Sequence, residues 1–296
     1  MKILLFGSGG QLGLELKPAL EKMGEVLALT RESRDFCGDL GNPDGIGHTV
    51  KACQADVIIN AAAWTDVDGA EVAAHEAHMV NTLAPRAMAM AAALRNAWMI
   101  SFSTDYVFSG SGDRAWKESD AAQPLNVYGK TKLEGEFLVA RHCPMHLILR
   151  TSWLHSPRGR NFVKTVLACA QELRGFDVVD DQMGAPTEAR WLADVTVGAL
   201  ARAMAQPKLG GLYHVAAGGV TSRHGVASFA IECAQKYGMN LSLAPGSIKA
   251  VSSLHCATAA RRPLNSRLDT SKFRAAFDIV LPHWQLGVER TVAALS

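Results

Sequence analysis

Three side chains in this sequence could together transfer a proton to a carbonyl oxygen: Thr104, Tyr128 and Lys132. Tyr128 and Lys132 lie four residues apart in "LNVYGKTKLEGE" (residues 125–136), which predicts the first turns of a helix and places both on one face. A nearby ammonium favours the ionised phenol and lowers its pKa, so Tyr128 could act as the general acid in a ketone reduction. The same spacing is also common at exposed helix starts, so this chemistry requires a site for a reductant.

The third group lies in "STDYVFSG" (residues 103–110), directly after a predicted strand. This segment brings a hydroxyl, a carboxylate and a phenol to the carboxyl end of the strand, where ligands bind in open α/β sheets. By itself it could be a polar turn. Together with Tyr128 and Lys132, Thr104 completes a hydroxyl–phenol–ammonium set.

A strand, a glycine turn and a helix open the chain and indicate where the reductant would bind. "KILLF" precedes "GSGGQLG", in which Gly7, Gly10 and Gly13 recur every three residues, and an amphipathic helix follows. In this context the backbone can approach a dinucleotide pyrophosphate at the helix N-terminus, and a merely flexible turn is the alternative. We assign Gly7, Gly10, Gln11, Leu12 and Gly13 to cofactor binding.

The end of the second predicted strand, "ALTRES", bears on the type of nicotinamide cofactor. Arg31 follows this strand where an acidic residue would bind the ribose 2′-hydroxyl, which favours NADPH and leaves acceptance of NADH open. A solvated loop arginine is the alternative. We place Asp39 and Leu40 at the adenine pocket, although Asp39 could be an ordinary turn residue, and assign Ala62 and Ala63 to the cofactor site.

The order of elements predicts the fold class. Short apolar strands alternate with helical segments through the first half of the chain, which is typical of an α/β protein. We predict a Rossmann-like doubly wound parallel sheet with a smaller irregular C-terminal substrate lobe. Residues 1–150 would form the dinucleotide-binding domain, with later segments returning to it, and residues 151–296 mainly the substrate-binding lobe. The turn-rich segment 244–266 has the length of a ligand-binding loop.

Composition excludes several other classes of protein. The 296 residues are 48% hydrophobic and 20% charged with a net charge of +2, so we expect no nucleic-acid partner. The six cysteines form no Cys-x-x-Cys pair, which suggests neither a zinc site nor a disulfide framework. No apolar run is long enough for a signal peptide or a membrane span, and we expect a cytoplasmic protein with no membrane partner.

A family resemblance covers nearly the whole chain. "GSGGQLG", "NAAAWTDVDGAE", "STDYVFSG", "LNVYGKTKLEGE", "RTSW", "DQMGAPT", "GLYHVAAGG" and "RPLNSRL" occur in this order, and the sequence resembles the dTDP-4-dehydrorhamnose reductases, which are extended short-chain dehydrogenases/reductases. The resemblance implies NADPH-dependent reduction of the C4 ketone of dTDP-4-dehydro-L-rhamnose to dTDP-L-rhamnose. This reaction belongs to nucleotide-sugar and cell-surface polysaccharide (O-antigen) biosynthesis.

The resemblance also implies roles for individual residues. Tyr128 would give the proton, and Lys132 would tune it and hold the nicotinamide ribose. Thr104 and Asp105 would touch the sugar. Trp153 of "RTSW" would pack on the sugar, with a core aromatic as the alternative.

The cluster "RRPLNSR" (261–267) suits bidentate phosphate contacts at the substrate pyrophosphate. The residues themselves do not decide between Arg261 and Arg262, and the family pattern points to Arg262. Two positions depart from that pattern: Gly69 replaces a usual lysine and Arg223 a common tryptophan. We expect both departures to affect local packing more than chemistry.

The resemblance raises the question of a metal, because Mg²⁺ held by carboxylates pairs some relatives. Glu15 is kept, but Arg190 stands at the second position and the C-terminal segment offers Glu289. Glu188 would face another side of the helix unless the helix starts elsewhere. We therefore expect no metal, and a monomer or a metal-independent homodimer.

Two other functions remain open at this point. A sugar-nucleotide epimerase or dehydratase would use tightly held NAD, and a dehydratase commonly has an Asp-Glu pair after the threonine, whereas Tyr106 follows Asp105 here. A noncatalytic nucleotide-binding regulatory subunit of the same fold is the second alternative, and the intact Thr104, Tyr128 and Lys132 set argues against it.

Overall fold

The computed structural model describes residues 1–244, 246–256 and 258–296. In these residues the strands are β1 (Lys2–Phe6), β2 (Glu25–Leu29), β3 (Val57–Asn60), β4 (Trp98–Thr104), β5 (His146–Thr151), β6 (Leu154–His155), β7 (Phe176–Val179), β8 (Met183–Gly184), β9 (Thr187–Glu188), β10 (Gly211–His214), β11 (Thr221–Ser222) and β12 (Ile248–Val251). The helices are α1 (Gln11–Leu20), α2 (Pro43–Cys53), α3 (Val67–Val72), α4 (Ala74–His78), α5 (Ala84–Ala93), α6 (Val127–His142), α7 (Phe162–Glu172), α8 (Ala189–Ala205), α9 (Arg223–Lys236), α10 (Ser271–Phe277) and α11 (Trp284–Ala293).

A parallel sheet of six strands forms the centre of the molecule, in the order β2-β1-β3-β4-β5-β10. Alternate residues of β1 face opposite sides, so Ile3 and Leu5 pack in one apolar cluster while Leu4 and Phe6 pack in another. Helices α1 and α8 contribute to the first cluster, and α2 and α5 to the second. The predicted doubly wound α/β fold is confirmed.

The chain adds β2 on one side of β1 and then crosses over to add β3 on the other side, with all three strands parallel. The connections after β1 and β3 therefore diverge and leave a crevice at the carboxyl ends of the strands, which is where ligands bind in this architecture. This crevice is the site predicted from the glycine turn.

Later parts of the chain add to this sheet. Strand β10 pairs with β5 from Gly211 to His214, and α8 packs against α1. Strand β10 was not predicted from the sequence, because four residues after a Pro-Gly-rich turn provide little periodicity.

A separate apolar cluster lies among α7, α9 and α11. The segment 244–266 is less irregular than predicted, because it contains β12, which pairs with β7, and a 3₁₀ turn over Ser253–His255. Pro245 and Ala257 of that segment lie outside the described residues.

Candidate active site

Two glycines allow the first turn to pack tightly at the crevice. Gly7 has a positive φ of 78°, and a Cβ there would lie 2.6 Å from the backbone nitrogen of Ala62. A Cβ on Gly13 would overlap the carbonyl oxygen of Gly7. The absence of a side chain at Gly13 therefore lets α1 pack closely against the turn. It contributes to the shape of the predicted cofactor site without lining its cavity.

A cavity of about 780 Å³ opens above this turn. The residues predicted to bind a cofactor that line it are Gly7, Gly10, Gln11, Leu12, Arg31, Leu40, Ala62, Ala63, Tyr128 and Lys132. The amides at the start of α1 have no acceptor within the helix, so they are available to an anion. Asp39 does not line the cavity. Its carboxylate accepts from the Gly41 amide (3.0 Å) and lies 3.7 Å from Arg31 Nε.

A segment that was not predicted from the sequence to belong to the site lines one side of this cavity. The Gln11 side chain donates to the carbonyl of Arg160 (3.1 Å) and accepts from Asn161 (2.8 Å) and Ser156 (3.3 Å). Gly159 and Arg160 line the cavity. The turn residues of "SPRGR" were visible in the sequence, but their contact with α1, about 150 positions away, was not.

The predicted proton-transfer set converges on the same cavity. Thr104 ends β4, and Tyr128 and Lys132 lie in the first turns of α6, which begins after Asn126. The Asn126 side chain caps the helix by accepting from the Gly129 amide (2.8 Å). A Cβ on Gly129 would overlap the carbonyl of Tyr106, so glycine allows α6 to pack against the end of β4.

Burial controls the pKa values of this set. Desolvation raises the pKa of Tyr128, and the Thr104 hydroxyl opposes that shift. Burial also lowers the pKa of Lys132 to about 8, opposed by Glu136. The Lys132 ammonium donates to the carbonyl of Phe102 (2.6 Å). The expected lowering of the Tyr128 pKa is not the net result, because desolvation is the largest cause and the charges of Asp105 and Tyr106 raise the pKa further.

Buried polar atoms without partners surround these groups. Asp105 is buried, and one of its carboxylate oxygens accepts from Thr104 (3.2 Å). Its other oxygen and the hydroxyls of Ser103 and Thr151 have no hydrogen-bond partner among the described residues. Desolvation raises the pKa of Asp105 to about 6, opposed by Ser266 and Arg223. Such atoms are rare in protein interiors, so the cavity is suited to a polar ligand.

A second cavity of about 850 Å³ adjoins the first. Trp153 lines both cavities, and its φ of 48° is unusual for a bulky residue and typical of a constrained position. Arg261 and Arg262 line the second cavity. Arg262 forms a two-pronged ion pair with Asp68 (2.6 and 3.2 Å), whereas Arg261 is exposed.

Arg223, one of the two departures from the family pattern, also lines this second cavity. Its guanidinium carbon lies 3.9 Å from the centroid of the Trp153 ring and 5.0 Å from that of Phe162. Gly69, the other departure, lies in α3, where its amide donates to Asp66 (2.9 Å). Of the two departures, only Arg223 therefore places a charge at the site.

Arginines lie next to Glu188, one of the carboxylates considered for a metal. Glu188 is buried directly before α8 and accepts from Arg290 (3.2 Å). Burial raises the pKa of Glu188, Arg290 and Arg190 oppose this shift, and Glu15 adds to it. Among the residues that the structure describes, no cluster of three or more His, Cys, Asp or Glu side chains could hold a metal ion. None of the described helices is long and apolar enough to span a bilayer.

A doubly wound sheet, a glycine turn at its switch point and a Thr and Tyr-x-x-x-Lys set in the adjoining cavity define a nucleotide-binding oxidoreductase of the short-chain dehydrogenase/reductase class. The family model described as "RmlD substrate binding domain" matches residues 1–296. The chain belongs to this family, which confirms the resemblance seen in the sequence.

Curated relatives and solved structures agree with this assignment. The chain is 49% identical over 295 residues to the dTDP-4-dehydrorhamnose reductase of Shigella flexneri and 47% identical over 295 residues to that of Salmonella typhimurium, covering 100% of this chain and 98% of each relative. A dTDP-4-dehydrorhamnose reductase structure from Clostridium acetobutylicum superposes with a TM-score of 0.89 at 30% identity, covering 100% of this chain and 99% of that one. The Bacillus anthracis dTDP-4-dehydrorhamnose reductase, solved in complex with NADP, gives a TM-score of 0.86 at 30% identity, with 98% of both chains covered.

Proposed function

We propose that this chain reduces the C4 ketone of dTDP-4-dehydro-L-rhamnose to dTDP-L-rhamnose with NADPH. The observation that carries this proposal is the meeting of Thr104, Tyr128 and Lys132 in a cavity that also contains the glycine turn. The curated names of relatives that cover the whole chain support the choice of substrate. We place the enzyme in the cytoplasm, in nucleotide-sugar biosynthesis, as a monomer or a homodimer.

The first cavity fits a dinucleotide. Residues at the start of α1 line it, and so does the exposed side chain of Arg31, whose guanidinium would pair with a 2′-phosphate. Leu40, Ala62 and Ala63 supply apolar walls. The complex of the Bacillus anthracis relative with NADP supports this cofactor. When bound, the nicotinamide supplies the hydride.

The side chains of this chain would manage the proton. Burial keeps the Tyr128 phenol protonated, so it can donate to the C4 oxygen as negative charge develops there. The Thr104 hydroxyl would hold the same oxygen in place. The Lys132 ammonium, directed by the Phe102 carbonyl, would bind the ribose and stabilise the phenolate that remains after proton transfer.

The second cavity fits the nucleotide end of the substrate. Trp153 would pack on the sugar where the two cavities meet, and Asp105 would accept from a sugar hydroxyl. Arg262 would contact the pyrophosphate, although its guanidinium is already paired with Asp68.

The test is NADPH oxidation with substrate generated in place from dTDP-glucose by its dehydratase and epimerase. Wild-type protein should oxidise NADPH, and Tyr128→Phe should lose about 10²–10⁴ in turnover because the proton donor is gone. Near-normal turnover of Tyr128→Phe would show that Tyr128 is not the proton donor. NADPH binding by a wild-type protein that leaves the ketone unreduced would instead favour the noncatalytic alternative.

A further inference from the structure

We propose that Arg223 is a specificity-determining residue that binds the diphosphate of the nucleotide sugar. This inference rests on the proposed function, since it concerns the same substrate cavity. It adds to the Arg262 contact a second diphosphate contact from a side chain outside the "RRPLNSR" cluster.

The position of Arg223 is rigid. It is the first residue of α9, its backbone amide donates to the Gln182 carbonyl (3.3 Å), and Ser222 caps the helix. Its guanidinium packs on the ring of Trp153 and lies close to the ring of Phe162. A planar guanidinium held against an aromatic face keeps its N–H donors along its edge, where they can form paired bonds to phosphate oxygens.

The charge on Arg223 is less compensated than that on Arg262. No carboxylate of the described residues lies within 4.0 Å of Arg223, whereas Arg262 has Asp68 at 2.6 Å. Burial lowers the pKa of Arg223, and nearby Tyr106 and Asp105 oppose this shift. Arg223 is partly exposed where it lines the second cavity, so an anionic ligand in that cavity can reach a cation that has no close carboxylate.

The location matches the expected place of a diphosphate. A sugar beside Tyr128 and a nucleoside in the second cavity require the connecting diphosphate to pass the junction at Trp153. Arg223 stacks on that residue, and Tyr106 lies between the two sites, with its ring centroid 5.7 Å from that of Tyr128. Tyr106, Arg223 and Arg262 all line the second cavity, so two arginines are present on the path of the diphosphate.

A purely structural role would also explain part of this geometry, because Arg223 could simply balance Asp105 and support Trp153. The two roles predict different effects on the binding of ligands with and without a diphosphate. A diphosphate-binding Arg223 distinguishes dTDP from thymidine, whereas a structural Arg223 affects both ligands equally.

The test compares wild type, Arg223→Met and Arg223→Lys by calorimetric titration with dTDP and with thymidine, and by NADPH-coupled turnover of the dTDP-sugar. Met keeps much of the side-chain length but removes the charge. Arg202→Met, which removes a charge from the surface of α8, is the matched control. Circular dichroism and NADPH binding check that every variant is folded.

We expect Arg223→Met to weaken dTDP binding by about 10- to 100-fold, as for the loss of hydrogen bonds to a charged group. Thymidine binding should change less than about threefold, the KM for the dTDP-sugar should rise more than kcat falls, and Arg223→Lys should recover part of the loss. The control should bind dTDP like wild type.

Equal losses for dTDP and thymidine would overturn the proposal in favour of a structural role. Unchanged dTDP affinity with a raised KM for the dTDP-sugar would overturn it in favour of a sugar contact. Both results leave the proposed function intact. Failure of the wild-type protein to bind dTDP or reduce the dTDP-sugar would refute the proposed function itself.

Discussion

The buried carboxylate of Asp105 predicts that a neutral substitution makes the protein more stable and less active. Desolvation raises the pKa of Asp105 from 3.8 to about 6, and the compensating groups, Ser266 and Arg223, do not offset it. Because the folded state holds its proton more tightly than the unfolded state, stability falls as the pH rises from about 4 to about 6. Above that range the full cost of the buried charge is present.

The size of the cost follows from the shift. A difference of about 2 pKa units corresponds to about 3 kcal/mol at pH 7, at about 1.4 kcal/mol per unit. At pH 5 the cost is set by the interval between the unfolded-state pKa of 3.8 and the pH, which corresponds to about 1.6 kcal/mol. Near pH 3.8 the cost largely disappears. Asp105→Asn should therefore raise the free energy of unfolding by up to about 3 kcal/mol at pH 7 and by about half as much at pH 5.

The assay is urea unfolding of wild type and Asp105→Asn at pH 7 and pH 5, with turnover of the dTDP-sugar measured at pH 7. Asp113→Asn is a matched control, because Asp113 is exposed and its change should stay within about 0.5 kcal/mol. Turnover of Asp105→Asn should fall, since an amide NH₂ replaces an oxygen that would accept from the sugar. A loss of stability at pH 7, or a gain that does not depend on pH, would refute the reasoning from desolvation.

Three further predictions concern the cofactor, the pH profile and metal. Arg31→Ala should lower kcat/KM for NADPH by about 10- to 100-fold and leave NADH nearly unchanged, whereas equal losses in both would show that Arg31 does not contact the 2′-phosphate. Turnover should decline above about pH 8, where Lys132 loses its proton, and Lys132→Met should be impaired in both turnover and NADPH binding; activity that stays constant to pH 10 would contradict a role for the ammonium. Because the Glu188 carboxylate already accepts a hydrogen bond from Arg290, EDTA should change neither the activity nor the sedimentation coefficient. A dimer that dissociates on chelation and re-forms with Mg²⁺ would contradict this.

The sequence by itself determined the architecture and the position of the chemical groups along it. Apolar strands that alternate with helices are a local pattern, and so are the glycines after β1 and the spacing of Tyr128 and Lys132. Because parallel strands end at one edge of a sheet, this order was sufficient to bring Thr104 to the same cavity as the glycine turn.

Only the tertiary structure decided the electrostatics and the remaining neighbours of the site. Arg223 was recognised in the sequence as a departure from the family pattern. Its contact with Trp153, however, depends on how α9 packs against the rest of the protein, which no local pattern encodes. The pairing of Arg262 with Asp68 joins residues nearly 200 positions apart. The pKa of Tyr128 rises instead of falling because desolvation depends on everything packed around the phenol, and i,i+4 spacing specifies only which side chain shares its helix face.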